Sequence, residues 1–114
     1  MSEHLWLGGG PEFDRIRGIY ARLGSAAYGL GDDCALLRAE KATIALSIDL
    51  SIEGVHFRRE WLSPAQIGYR AAVAALSDLA AEGARAAGVL VSLAMPADRP
   101  PAEAAEIMAG VGEA

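Results

Sequence analysis

An α/β domain of the α+β kind is what this sequence predicts, and three patterns predict it. Apolar residues recur at helical spacing from Phe13 to Leu23. Two short apolar runs flank a turn at Ala39-Glu40-Lys41, and Ser63-Pro64-Ala65-Gln66 opens a further helix with a full start signal. At 114 residues the chain has the length of one domain. Hydrophobic residues make up 53% and charged residues 22%, a folded composition rather than a disordered one. Much of the apolar share is alanine, which buries little area per residue. The expected core is therefore modest and needs a partner surface to be complete.

Met1 to Gly10 reads as a loose arm, with three consecutive glycines at its end. Pro11 suits the first turn of a helix, whose apolar face is Phe13, Ile16, Ile19, Tyr20 and Leu23, and Gly24 supplies the stop. Turn formers fill Ser25 to Asp33. Cys34-Ala35-Leu36-Leu37 reads as a short buried strand, and Thr43 to about Ile48 as its hairpin partner. Asp49 to Arg59 is mixed, and its Ile52, Val55 and Phe57 could continue as an extended piece broken at Gly54. In the next helix Ser63 caps, Pro64 takes the first position and Gln66 completes a capping box. That helix runs to about Glu82, with Gly83 as its stop. Arg85 to Met95 reads as a strand with Gly88-Val89-Leu90-Val91 as its buried centre. Pro96, Pro100 and Pro101 bracket a turn, and a last helix begins near Ala102. It is barely under way at Ala114, so the sequence is expected to be a fragment of something longer.

The net charge of −5, with no Lys/Arg run, argues against nucleic acid or an anionic membrane as a partner. Cys34 is the single cysteine, which excludes an intrachain disulfide and suits a reducing compartment. No apolar run reaches the ~18 residues of a spanning helix, and the start lacks the pattern of a signal peptide. A soluble cytoplasmic protein is the expectation. An acidic chain that handled a polyphosphate would need metal ions between the two negative partners.

Asp32 and Asp33 adjoin at a turn, Asp49 ends a strand, and Asp78 lies mid-helix. The helical neighbours of Asp78 are Ala71, Ala74, Ala75 and Ala81, so its carboxylate projects from a small-residue stripe of the sort that is normally buried. A divalent cation is one way to keep it charged there. A backbone hydrogen bond, or a pair with Arg70, is another. For Asp32 alone an Asx-type turn is the preferred reading. For the three acidic positions together, a Mg²⁺ site and structural roles both stand. His56 suits anion binding, acid–base work or simple packing. Cys34, in an apolar run, reads as inert core. Neither a Walker-type loop nor a zinc pattern is present.

Four motifs follow in order: Gly31-Asp32-Asp33-Cys34-Ala35-Leu36-Leu37, Ser47 through Phe57, Ile67-Gly68-Tyr69-Arg70-Ala71, and Leu76 through Ala84. With Pro11-Glu12-Phe13-Asp14 they span nearly the whole chain. Together they resemble the amino-terminal half of the thiamine-monophosphate kinases, within the aminoimidazole-ribonucleotide synthetase superfamily. The resemblance implies a small mixed or antiparallel sheet with helices packed on one face, and sheet pairing in a homodimer. It implies ATP-dependent conversion of thiamine monophosphate to thiamine diphosphate, with Mg²⁺ as cofactor and ATP as co-substrate. Asp33, Ser47, Asp49 and Asp78 would be Mg²⁺ ligands, and His56 would lie at the thiamine monophosphate site. Where the family often has Thr, this chain has Ile48, which leaves only its backbone for the metal.

No acid–base residue is implied, because the nucleophile is already a phosphate oxygen. The reaction needs charge neutralisation and in-line alignment instead. Full members of the family carry a Gly-Gly-Asp loop beyond this stretch and then a second α/β domain, so a chain of residues 1–114 alone would be inactive. Selenophosphate synthetase and the hydrogenase-maturation dehydratase share the layout and are the alternative within enzymes. A stand-alone dimerisation or ligand-binding module is the alternative outside them.

Overall fold

A computed structural model describes residues 8–26 and 34–114 of the protein. Helix α1, Pro11–Leu23, begins with proline in its first turn and ends at Gly24, whose φ of 55° lies in the left-handed region. A short 3-10 turn, Gly24–Ala26, follows. Strands β1, Ala35–Ala39, and β2, Ala42–Leu46, form an antiparallel hairpin closed at Glu40 and Lys41. Its register runs from Ala35 opposite Leu46 to Ala39 opposite Ala42. Helix α2, Pro64–Ala81, carries the expected capping box. The Ser63 hydroxyl accepts from the Gln66 N–H, and the Gln66 side chain accepts from the Ser63 N–H. Gly83, at φ 66°, follows its end. The N–H of Arg99 donates to the Pro96 carbonyl at 3.1 Å, closing the proline-bracketed turn before helix α3, Pro101–Glu113.

The packed centre of the described residues is the contact of α2 with α3. Ile67, Gly68 and Ala72 are buried on α2, and Glu103 and Gly110 on α3. Two glycines let the backbones touch. A Cβ on Gly68 would lie 1.8 Å from the Ile107 carbonyl oxygen, and one on Gly110 would lie 1.8 Å from that of Ala65. Glycine inside a helix costs ~1 kcal/mol of propensity relative to alanine. Here the close approach of two helices accounts for its presence.

The other regions depart from expectation. Among the described residues, helices α2 and α3 pack on each other, not on one face of the sheet. Successive strand residues point to opposite faces, and Leu36 and Leu37 are both exposed, as are Ile44 and Leu46, so among the described residues neither face of the hairpin is covered. Cys34, just before β1, is buried. Strand β2 ends at Leu46, short of Ile48, which is 96% exposed, and of Asp49. Residues 84–96 form no strand, and Gly88, Val89, Leu90 and Val91 are exposed rather than a buried centre. A strand exists by hydrogen bonding to a neighbour, and the described residues offer this run none.

The radius of gyration is 17.1 Å, against ~13 Å for a compact chain of this length. The modest core expected from the alanine bias is what the described residues contain. No helix among them is long and apolar enough to cross a membrane.

Candidate functional site

Beyond β2 the chain leaves the ladder and passes alongside α2. The Ser47 hydroxyl donates to Oδ2 of Asp78 at 2.9 Å, joining two residues 31 apart in sequence. Asp78 is half-buried and Ser47 likewise. The Asp78 carboxylate thus pairs with the Ser47 hydroxyl, while Arg70, the pairing that sequence spacing offers, turns to the His56 carbonyl. Asp49 is exposed, and its Oδ1 accepts from the next N–H, that of Leu50, at 2.7 Å.

Residues 52–57 do not run on as an extended piece. They close a tight turn, with a bridge between Glu53 and Phe57 and Gly54 at φ 80°. The Gly54 N–H donates to the Phe57 carbonyl at 2.8 Å, and the His56 N–H donates to that of Ile52 at 2.8 Å. His56 stands on this turn, and its Nδ1 accepts from the Ile52 N–H at 3.0 Å. That bond places the proton of the neutral ring on Nε2, leaving an N–H donor for an incoming acceptor. The Arg70 guanidinium, from the first half of α2, donates to the His56 carbonyl.

Asp49, Ser51, His56, Arg70, Ala71 and Ala74 line one shallow cleft of 130 Å³. Ala71 and Ala74 precede Asp78 by seven and four residues and so share its face of α2. The Ser47–Asp78 pair thus lies about one helical turn, ~5.4 Å, along the same stripe from the cleft.

The structure therefore joins Ser47 to Asp78 by a hydrogen bond and places Asp49 and His56 on the lining of one cleft. Asp32 and Asp33 lie outside the described residues. Among the described residues no three His, Cys, Asp or Glu side chains cluster closely enough to hold a metal ion by themselves. The Ile48 side chain points to solvent.

Sequence reasoning missed one set of charged residues. Arg59 donates from Nε and Nη2 to the two oxygens of Glu53, at 2.7 and 2.6 Å, and from Nη1 to Glu103 at 3.0 Å. Arg99 donates to the other Glu103 oxygen at 2.7 Å. The hydrogen bonds from Arg59, above all, hold the Glu53 carboxyl below its usual range. Those from Arg99, then the nearby Arg59, do the same for Glu103. Arg59 is raised in turn, chiefly by its bond to Glu53. The i, i+4 spacing of Arg99 and Glu103 is readable in the sequence. The bridge from Glu53 across Gly54 to a third element is not.

The chain is similar to several curated thiamine-monophosphate kinases. It is 49% identical over 70 residues to that of Synechococcus elongatus, covering 60% of this chain and 21% of the relative. It is 45% identical over 85 residues to that of Escherichia coli K12, covering 74% and 25%. It is 37% identical over 106 residues to that of Bacillus subtilis 168, covering 90% and 33%. The chain thus spans a third or less of the length of these relatives. No solved structure matches it. A family model described as AIR synthase related protein, N-terminal domain, matches residues 31–114. Most of the chain lies within that match, and the chain belongs to this family.

Proposed function

We propose that the chain is the amino-terminal, Mg²⁺- and ATP-binding domain of a thiamine-monophosphate kinase, which transfers the terminal phosphoryl group of ATP to thiamine monophosphate. The observation that carries the reading is the meeting of Ser47 and Asp78 at 2.9 Å, from two separate motifs, on the helix face that also borders the Asp49–His56 cleft. Similarity to the curated kinases supports the acceptor.

The donors fit Mg²⁺. Ser47 Oγ and the carboxylates of Asp49 and Asp78 are hard oxygen donors, and this ion takes one or two carboxylates while keeping waters and phosphate oxygens. Asp33 completes the proposed set, and Ile48 offers its backbone alone. When bound, Mg²⁺ supplies neutralisation of phosphate charge and alignment of the two anionic groups. The hydroxyl of Ser47 fixes the Asp78 carboxylate on α2. His56, with Nδ1 occupied by Ile52, offers Nε2–H to the acceptor and so orients it rather than taking a proton. Arg70 holds the turn that bears it. The acceptor's phosphate oxygen is already a nucleophile, so positioning meets the need of the reaction.

The exposed Leu37, Ile44 and Leu46 of the hairpin support pairing with a second copy in a homodimer. The buried single cysteine and acidic charge suit the cytoplasm, with neither nucleic acid nor membrane as partner. Residues 1–114 alone are expected to have no useful kinase activity, since the matched stretch is a third or less of each relative.

The test is formation of thiamine diphosphate from ATP and thiamine monophosphate by the full-length protein. Asp78→Asn is expected to lower turnover by at least ~100-fold with the circular dichroism spectrum retained. Unchanged turnover would remove Asp78 from the metal site. A reaction with some other acceptor instead would move the protein to another branch of the superfamily.

A further inference from the structure

The Glu53–Phe57 turn carries His56 into the cleft, yet the hydrogen bonds within the turn are local ones. They shape it without fixing where it sits. Two outside contacts do that. One is Arg70, from α2, on the His56 carbonyl. The other is Arg59, which takes both oxygens of Glu53 in its fork and reaches Glu103 in the first turn of α3. A planar guanidinium bound at both ends of a carboxylate fixes orientation as well as distance. Glu103 is only 7% exposed and is held on its far side by Arg99, so the anchor at the α3 end is rigid. Glu103 also stands at the start of a helix, where negative charge is favoured.

From this geometry we infer that Arg59 is a positioning residue for the phosphate acceptor: by clamping Glu53 to Glu103 it sets the place of the turn that presents His56. The inference rests on His56 lying at the acceptor site, as proposed above. Arg59 itself touches no reacting group. Its loss leaves the turn intact but lets it shift relative to α2 and α3. The effect therefore falls on the acceptor and spares ATP, whose proposed metal ligands Ser47, Asp49 and Asp78 lie outside the turn.

The experiment is steady-state kinetics on the full-length enzyme with Arg59→Met, Glu53→Gln and the double variant. KM for thiamine monophosphate should rise on the order of tenfold in each, with KM for ATP within about twofold. The double variant should be no worse than the worse single, because both remove one clamp. A second readout does not need turnover. In ¹⁵N-histidine-labelled enzyme the ring resonances of His56 should move in Arg59→Met and stay in place in the neighbouring Glu60→Gln. An unchanged acceptor KM, an equal rise in both KM values, multiplicative effects in the double variant, or an unmoved His56 ring would each overturn the assignment. If Arg59→Met does not fold, Arg59→Lys decides: a smaller, acceptor-selective rise supports the clamp and none refutes it. Should the unsubstituted enzyme fail to phosphorylate thiamine monophosphate at all, the proposed function falls, and the His56 resonance still tests the clamp.

Discussion

The α2–α3 half of the molecule and the hairpin with its neighbouring 84–96 segment were built from equally apolar sequence, and they ended differently. In the first, Gly68 and Gly110 bring two backbones into contact, a capping box starts the helix, and the Glu53–Arg59–Glu103–Arg99 chain ties the preceding loop to the pair. In the second, leucines lie exposed on both faces of the hairpin, and Val89, Leu90 and Val91 face solvent. The contrast is one of partners rather than of hydrophobicity. A helix satisfies its backbone internally and needs one neighbour to bury its stripe. A strand needs neighbours for its backbone as well as its faces. The helical pair finds its neighbour within the described chain; there the hairpin finds a ladder but no cover for its leucines, and residues 84–96 find neither.

That contrast is sharpest at Gly68. Helix propensity alone would make Gly68→Ala stabilising by ~1 kcal/mol. Because the added Cβ would meet a carbonyl oxygen at 1.8 Å, a net loss of ~3 kcal/mol in urea unfolding is expected instead. A gain would show that the two helices do not pack this closely.

Acid should act next, and on the same half. The carboxyls of Glu53 and Glu103 titrate below their ordinary value of 4.5 in the folded protein. The stability they contribute is therefore complete above about pH 4.5 and lost as pH falls through their lowered folded values. Thermal unfolding followed from pH 7 to pH 3 should show Tm falling most steeply below pH 4.5, and Arg59→Met should flatten that fall. An identical pH profile in the variant would break the link between the clamp and the helical half.

The smallest effect belongs to the other half. Leu90→Asp should change stability by less than ~0.5 kcal/mol, as exposed substitutions do. A larger loss, measured in the same unfolding experiment, would mean that the 84–96 run is covered in the protein in solution, as a strand with a partner would be.

What could be read in advance follows the same division. Helices α1, α2 and α3 were legible because each announces its start and most announce their stop locally: Pro11 and Gly24, Ser63 to Gln66 and Gly83, the prolines before Ala102. The hairpin turn at Glu40 and Lys41 was legible for the same reason. Arg85 to Met95 forms no strand although its sequence suits one, because an apolar β-prone run reports only what it would do beside a partner. Asp78 could be singled out from its alanine stripe, but its actual partner, Ser47, lies 31 residues away. Arg59 carried no sequence signal at all, since its three contacts reach across a turn and into another helix.

Taken alone, the sequence determined where helices begin, which motifs follow one another, and which family the chain resembles, because caps, turns and spacing act over a few residues. Tertiary structure alone decided that Ser47 meets Asp78, that the His56 turn hangs from Arg59 and Arg70, and that the hairpin finds no cover for its leucines among the described residues. Hydrogen bonds and burial between distant segments depend on which surfaces come together, and no local pattern encodes that meeting.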